Sequence, residues 1–527
     1  MMSRCGSLQE NIIEDSWIVR FSDSTQNLNF LEELEVESLT GGPWDTIPLD
    51  SFLLVFPPST LSNPKYALVG ETDDLRMQLQ NFLRDASNNP PQLDPGDVIP
   101  LRICGCNMVE FYISPQRVDL QNSITQSTSK TRKQDDGSPG EIASVDVNRE
   151  VTFGPFVGNT GPNDNGITCD TAIQVKEELV NIKCDSPGIL VGSSTSPGNL
   201  LSVAVIDSGV DFLHDDMRQG RDIWVNYEEI SQGNSPSFFT PYNQWPGLMD
   251  DAANRNCYPV DFLGYDFFFD MNLPKDREGH GTHVASIIGK GIKSGTNNIR
   301  LMPLKIGGFE LNAQGQEEFQ ADLFAVLCAM EYAIDQDAKV INMSLGYYAE
   351  KPNLQMWQLT QKALEKDALI VASTGNDNMN IDCCQHWPSN LVDSFDNVIS
   401  VAALDKITPS GNTYPFPGQL APFSNYGEKA LIAAPGVDIW AANVGTGNGS
   451  ASKKGTSMAA AIISQQAALL RVATPTASAV DIRNQILSDT YSNFKGGSIF
   501  NFEKLCTQSG RYYDYSQRSE ILGLLSP

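Results

Sequence analysis

From Leu200 onward, apolar runs of β character alternate with segments of helical period: LSVAVID, HVASIIG, IRLMPLKI, ADLFAVLCAMEYAIDQ, KVINMSL, LQMWQLTQKALEKD, ALIVAST, NVISVAAL, KALIAAPG and SMAAAIISQQAALLRVA. Near-continuous apolar strands between amphipathic helices predict a mainly parallel sheet covered on both faces, an α/β architecture in three layers. In such a sheet, chemistry belongs at the carboxyl ends of the strands. The N-terminal part reads differently. Residues 16–21 (SWIVRF) alternate as a strand does, and Phe52–Phe56 (FLLVF) is an apolar run of buried-strand length. In DDLRMQLQNFLRDA, residues 73–86, Leu75, Leu79, Phe82 and Leu83 share one helical face. Residues 1–120 are therefore expected to form a small α+β module. Residues 121–199 read as linker with short β segments, 200–495 as the α/β domain and 496–527 as a C-terminal tail. Within the linker, 122–141 is polar and Gly-containing, with Lys130, Arg132 and Lys133 as its basic spot.

Charge narrows the function classes. The 527 residues carry 36 Lys+Arg against 64 Asp+Glu, a net charge of −28. Such a surface repels phosphate, so a nucleic-acid partner is not expected. No run of eighteen apolar residues occurs, so no membrane insertion is expected. The first residues, MMSRCGSLQENIIEDSW, lack the apolar stretch of a secretory signal. Ten cysteines are too sparse for a disulfide scaffold. These readings together predict a cytoplasmic protein with free thiols.

Four short pieces carry candidate chemistry. VAVIDSGVD delivers Asp207 at the end of an apolar strand, and GHGTHVAS sets His280 between two glycines at a helix start. STGND places Asn376 just after a strand, and GTSMAAA puts Ser457 at the start of a helix of small residues. A serine hydroxyl needs a positioned base to become a nucleophile, and imidazole supplies one near neutral pH. A buried carboxylate fixes the imidazole's tautomer, and an amide can donate to a forming oxyanion. The rival readings are weaker. His280 and His283 lack the Glu of a HExxH zinc site, and Gly-Thr-Ser-Met-Ala lacks the second glycine of a lipase elbow.

The order Asp, His, Asn, Ser, together with VAVIDSGVDFLHDDM, DREGHGTHVASIIG, LMPLKI, INMSLG, IVASTGND, WPSN, APGVDIWAA and GTSMAAA, resembles the subtilisin-like serine peptidases, or subtilases, over roughly 200–494. The resemblance implies a subtilisin-like three-layer α/β/α fold. It also implies an Asp207, His280 and Ser457 triad, Asn376 as oxyanion donor with the Ser457 backbone N–H, and Ser344, Leu345 and Gly346 as the strand that pairs with an extended substrate. The expected activity is endopeptidase hydrolysis of protein or peptide substrates; the alternative is a catalytically weak or inactive peptide-binding module on the same fold. No cofactor is required for this chemistry, though the family commonly holds calcium, and no metal ligands can be assembled from the sequence.

Departures and remainders complete the reading. Ala461 stands where the family has proline, so the Ser457 helix should run unbroken, and Ser286 stands where it has glycine. His214 is expected to be structural, and His386 has no assigned role. The aromatic residues of 218–270 read either as a substrate groove or as the core of an insertion. By resemblance to family prodomains, the region before residue 196 is expected to restrain activity or to dock a regulatory partner, with self-cleavage sought within 122–141.

Overall fold

The computed structural model describes residues 12–21, 45–49, 52–56, 98–104, 108–113 and 142–153, then 200–212, 263–269, 274–289, 299–311, 316–405, 420–444, 449–488, 490–495 and 509–513, with single positions between 214 and 261. Two compact units divide the chain: one is essentially 11–150, the other begins at Val151.

In the first unit, β1 (Ile12–Phe21), β4 (Val98–Cys104), β5 (Met108–Ile113) and β6 (Ile142–Arg149) form an antiparallel sheet in the order β4-β5-β1-β6. A separate hairpin joins β2 (Asp45–Leu49) to β3 (Phe52–Phe56). Ile18, Cys104 and Met108 are buried, as is Glu110, whose carboxylate accepts from the Asn148 amide at 2.8 Å. β6 lies in the stretch read as linker and short β segments, and its pairing with β1 extends this sheet to Arg149. The helix expected at 73–86 lies outside the described residues.

The second unit is built on a nine-stranded sheet. Its strands are β7 (Leu201–Asp207), β8 (Tyr265–Asp266), β9 (Ile299–Lys305), β12 (Val340–Met343), β14 (Leu369–Ser373), β16 (Val398–Leu404), β17 (Ile432–Pro435), β20 (Thr490–Lys495) and β21 (Ser509–Tyr513), in the order β20-β21-β17-β16-β14-β12-β7-β9-β8. Every neighbouring pair is parallel except β20 with β21. β21 falls in the segment read as a tail. Short antiparallel pairs accompany the sheet: β10 (Gly307–Leu311) with β11 (Glu317–Ala321), β13 (Tyr347–Tyr348) with β15 (His386–Trp387), and β18 (Ile439–Ala442) with β19 (Ser450–Lys453).

The helices are α1 (His280–Gly289), α2 (Leu323–Asp335), α3 (Leu354–Glu365), α4 (Thr456–Ala473) and α5 (Ala479–Ser488). Alternation assigns the layers. Val203, Val205, Leu301, Val371 and Val401 join α1, α4 and α5 in one core cluster. The intervening Ala204, Ile206, Met302, Leu304, Ile370 and Ala372 are equally buried, so the other face is covered too. α2, none of whose residues belongs to that cluster, packs on β7 and β9. The result is the expected three-layer α/β/α fold. α4 is unbroken from Thr456 through Ala473, as alanine at 461 allows. Among the described residues, no helix is long and apolar enough to cross a membrane.

One expectation changes. Cys104, Cys328 and Cys384 are disulfide-bonded while Cys383 keeps its thiol, so the reading of free thiols is corrected at those three positions. Residue spacing alone carries no redox state. Among the described aromatic residues of 218–270, Tyr258 packs against Tyr265, Phe267 and Tyr332, and Trp224 packs edge-on to Tyr332, as the core reading expects.

Candidate active site

β7 delivers Asp207 fully buried at its carboxyl end. Asp207 Oδ1 accepts from the Ser208 N–H at 2.8 Å and lies 2.7 Å from His280 Nδ1. His280 opens α1, and a close backbone approach brings it there. A Cβ on Gly281 would sit 2.1 Å from the Gly209 carbonyl oxygen and 3.1 Å from Asp207 Cβ, so only glycine lets the helix start against the strand end. Asp276 holds the turn. Its Oδ1 accepts from Ser208 Oγ and from the N–H groups of Glu278 and Gly279, and its Oδ2 accepts from Thr282 N–H and Oγ1. One buried carboxylate thus satisfies donors that a helix start leaves open. Sequence reading passed over Asp276, which lies four residues before the helix start and so outside the N-cap position that a sequence pattern marks.

Ser457 is the second residue of α4. Asn376 follows β14, and its Oδ1 accepts from the Thr456 N–H at 2.8 Å and Thr456 Oγ1 at 3.1 Å. With the carbonyl end so held, the Nδ2 donor is the end left for a ligand. The Asn376 loop is fixed in turn by Asn425, which accepts from the N–H groups of Asp377 and Met379 and donates to the Thr374 carbonyl and Tyr348 Oη. Tyr348 donates to Asp377 at 2.6 Å, and burial beside that carboxylate pushes its phenol upward, so it stays a donor. Ser344 Oγ donates to the Ser457 carbonyl at 3.0 Å, tying the strand end at 344–346 to the start of α4.

A segment that the sequence reading did not single out lies among these groups. Thr152 pairs antiparallel with Gly346: Thr152 N–H donates to the Gly346 carbonyl at 3.0 Å, and Gly346 N–H returns a bond at 2.9 Å. Val151 N–H donates to the Ala321 carbonyl at 2.9 Å. The Phe153 carbonyl accepts from Ser457 Oγ at 3.3 Å, and that hydroxyl also reaches the Ser344 carbonyl at 3.1 Å. The Phe153 ring packs on the His280 imidazole with centroids 5.0 Å apart. One residue therefore touches both Ser457 and His280, while its neighbour pairs with Gly346. Of the 344–346 strand end, Gly346 offers backbone to this segment, whereas the Leu345 side chain is buried. No pattern in VTFGPFV marks it as a cleft occupant; its partners stand up to 304 residues away.

Remaining polar groups support this frame. His386, without a role in the sequence reading, is buried with Nδ1 2.9 Å from Ser389 Oγ, and burial holds it near pKa 3. A Cβ on Gly346 would lie 2.2 Å from its ring. His283 Nε2 faces the carbonyls of Ile439 and Ala451, and burial lowers it to about 3, so it tethers β18 and β19 as a neutral donor. His214 bonds the Gly449 carbonyl at 2.7 Å, a structural role as expected. Ser286 Oγ donates to the His283 carbonyl and accepts from Ala442 N–H, work that glycine could not do. Glu278, two residues before His280, is raised to about 7 by burial and by Asp276; its Oε2 accepts from His280 N–H. Lys453 donates to the Gly279 carbonyl at 2.7 Å, and burial lowers its pKa. Among the described residues, no three His, Cys, Asp or Glu side chains gather as a metal site, so no residue is assigned to hold calcium.

Comparisons with known proteins identify relatives of this chain. The chain is 33% identical over 249 residues to a thermophilic serine proteinase of Bacillus sp. (strain AK1), a match covering 45% of this chain and 55% of that protein. It is 29% identical over 267 residues to subtilisin DY of Bacillus licheniformis, covering 49% of this chain and 86% of the relative. The chain thus spans about half the length of the first of these relatives. The crystal structure of fervidolysin from Fervidobacterium pennivorans, a keratinolytic enzyme related to subtilisin, superposes with a TM-score of 0.50 at 19% identity, covering 98% of this chain and 61% of that one, a likeness of fold. The model of the subtilase family matches residues 198–504, and with more than half of its length inside that match the chain belongs to the subtilase family.

Proposed function

We propose that this chain is a serine endopeptidase that hydrolyses peptide bonds through an acyl-enzyme. Ser457 Oγ adds to the substrate carbonyl carbon while His280 Nε2 takes the hydroxyl proton. Asp207, 2.7 Å from His280 Nδ1, keeps that nitrogen protonated and stabilises the imidazolium. Asn376 Nδ2 and the Ser457 N–H at the start of α4 donate to the oxyanion, where the helix dipole adds to their effect. Collapse of the intermediate breaks the C–N bond. The leaving amine takes the proton from His280, and water then hydrolyses the ester by the same path reversed. For the first step the Ser457 hydroxyl has to turn from the Ser344 and Phe153 carbonyls toward His280.

The observation that carries this reading is Phe153, with its carbonyl 3.3 Å from Ser457 Oγ and its ring on His280, in a segment paired to Gly346. An extended peptide bound by backbone pairing is how such an enzyme would read a substrate. The same segment supports restraint by the N-terminal region: residues 151–153 hold the cleft as a built-in substrate or product, and cleavage beside Phe153 would precede turnover of other proteins. The experiment is a paired purification of wild type and Ser457→Ala. Wild type should digest an unfolded protein substrate and yield a new N-terminus at 154 or 155; the variant should do neither. Full digestion by Ser457→Ala would remove Ser457 as nucleophile, and an inert wild type would favour the peptide-binding module.

A further inference from the structure

The ring of Phe153 does not rest on His280 alone. It also packs on Phe319 of β11, with centroids 5.6 Å apart, and only 7% of Phe153 is exposed. Phe319 stands directly opposite Phe309 in the β10–β11 register, and the two rings meet edge-on at 5.5 Å. A Cβ at Gly307 would lie 2.5 Å from Phe319 Cζ, so a glycine there makes room for the ring. The hairpin is also tied to the turn that carries His280. The Arg277 guanidinium lies over Phe309 at 5.5 Å, and the same side chain approaches Glu317 at 3.7 Å. Just past Phe319, the Ala321 carbonyl accepts from Val151 N–H. Backbone pairing and an aromatic wall thus act on consecutive residues of one segment.

We propose that the β10–β11 hairpin is a specificity element: Phe319, backed by Phe309, selects substrates that carry an aromatic side chain where Phe153 lies, pressed between Phe319 and the His280 imidazole. This rests on reading residues 151–153 as a substrate-like segment of a peptidase. Three features of the site favour an aromatic occupant. Flat rings on two sides suit a flat ring by offset or tilted packing. The wall facing it, Phe319 backed by Phe309, is apolar and offers no charge to an acidic or basic side chain. A smaller side chain would leave apolar surface of Phe319 uncovered. Hydrophobic pockets discriminate by size about 10- to 200-fold, so replacing the aromatic residue by alanine should lower kcat/KM by about 10- to 100-fold.

The test uses full-length protein incubated until self-processing is complete, with internally quenched peptides spanning residues 148–157 and Phe, Tyr, Leu, Ala or Asp at position 153. Wild type should favour Phe and Tyr over Ala by at least about tenfold. In Phe319→Ala the Phe-to-Ala ratio of kcat/KM should fall toward one, and Phe319→Leu should fall between. A second readout needs no turnover: the 148–153 peptide should slow fluorophosphonate labelling of wild type, and the same peptide carrying Phe153→Ala should be about tenfold weaker. Equal handling of the Phe and Ala peptides by wild type would overturn the inference, as would an undiminished ratio in both Phe319 variants. Failure of wild type to cleave any of these peptides would instead sink the peptidase reading itself, and cleavage by Ser457→Ala would remove Ser457 as its nucleophile.

Discussion

Replacing Asp207 by asparagine separates charge from geometry at the centre of the site. In the structure, Asp207 Oδ1 serves both the Ser208 N–H at 2.8 Å and His280 Nδ1 at 2.7 Å, while the buried Oδ2 has no hydrogen-bond partner among the described residues. An asparagine that kept its carbonyl oxygen in the Oδ1 place would still serve both donors. Turned over, its amide would face the Ser208 N–H donor to donor, so the first orientation should win. The imidazole tautomer is then preserved, and what is lost is the negative charge that stabilises the imidazolium. Two unit charges about 4 Å apart interact by about 4 kcal/mol at an effective dielectric of about 20. At about 1.4 kcal/mol per decade, the expected loss in kcat is about 10³-fold. The assay is kcat per active site on a quenched peptide, with sites titrated by a fluorophosphonate and folding checked by thermal melting. A folded Asp207→Asn enzyme within tenfold of wild type would refute the reasoning.

Other predictions follow from single contacts. Asn376→Ala should lower kcat by about 10²- to 10³-fold with little change in KM, read by steady-state kinetics on the same peptide. Glu278 is raised to about 7, so its burial costs nothing below its ordinary pKa of 4.5 and destabilises increasingly as pH rises through 7. Glu278→Gln should therefore gain melting temperature over wild type at pH 8 and show no such gain at pH 4; the reverse order would contradict the assignment. His283 and His386, both lowered to about 3, contribute stability that is present above the ordinary histidine pKa and is lost as pH falls toward 3. Acid melts should show that loss. Thiol titration in denaturant without reductant should count fewer than the ten cysteines of the chain, since Cys104, Cys328 and Cys384 are bonded.

What could be read from the sequence follows a physical rule. Parallel strands buried on both faces are continuous apolar runs, so β7, β12, β14 and β16 stood out, and the residues at or just beyond their ends, Asp207, Ser344 and Asn376, stood out with them. The Ser457 helix is conspicuous because close packing in the core demands small residues along Thr456–Ala468. What escaped depends on distance and environment. The segment 151–153 takes its meaning from Gly346, Ala321, His280 and Ser457, none near it in sequence. Glu278 is shifted by burial and by Asp276, and no local pattern states burial. His283 looks like half of a metal pair until two backbone carbonyls are seen to occupy its Nε2. Phe309 and Phe319 carry no signal in the sequence, and the ring of Phe153 packed on Phe319 is what marks them out.

The central claim is that Ser457 is a nucleophile activated by His280. Its most direct measurement is the site and pH dependence of fluorophosphonate labelling, read by peptide mass spectrometry on the self-processed protein. A single phosphonylated serine at 457, lost in Ser457→Ala and strongly slowed in His280→Ala, is the predicted result. Labelling that persists at another residue, or that is as fast without the His280 imidazole, would contradict it.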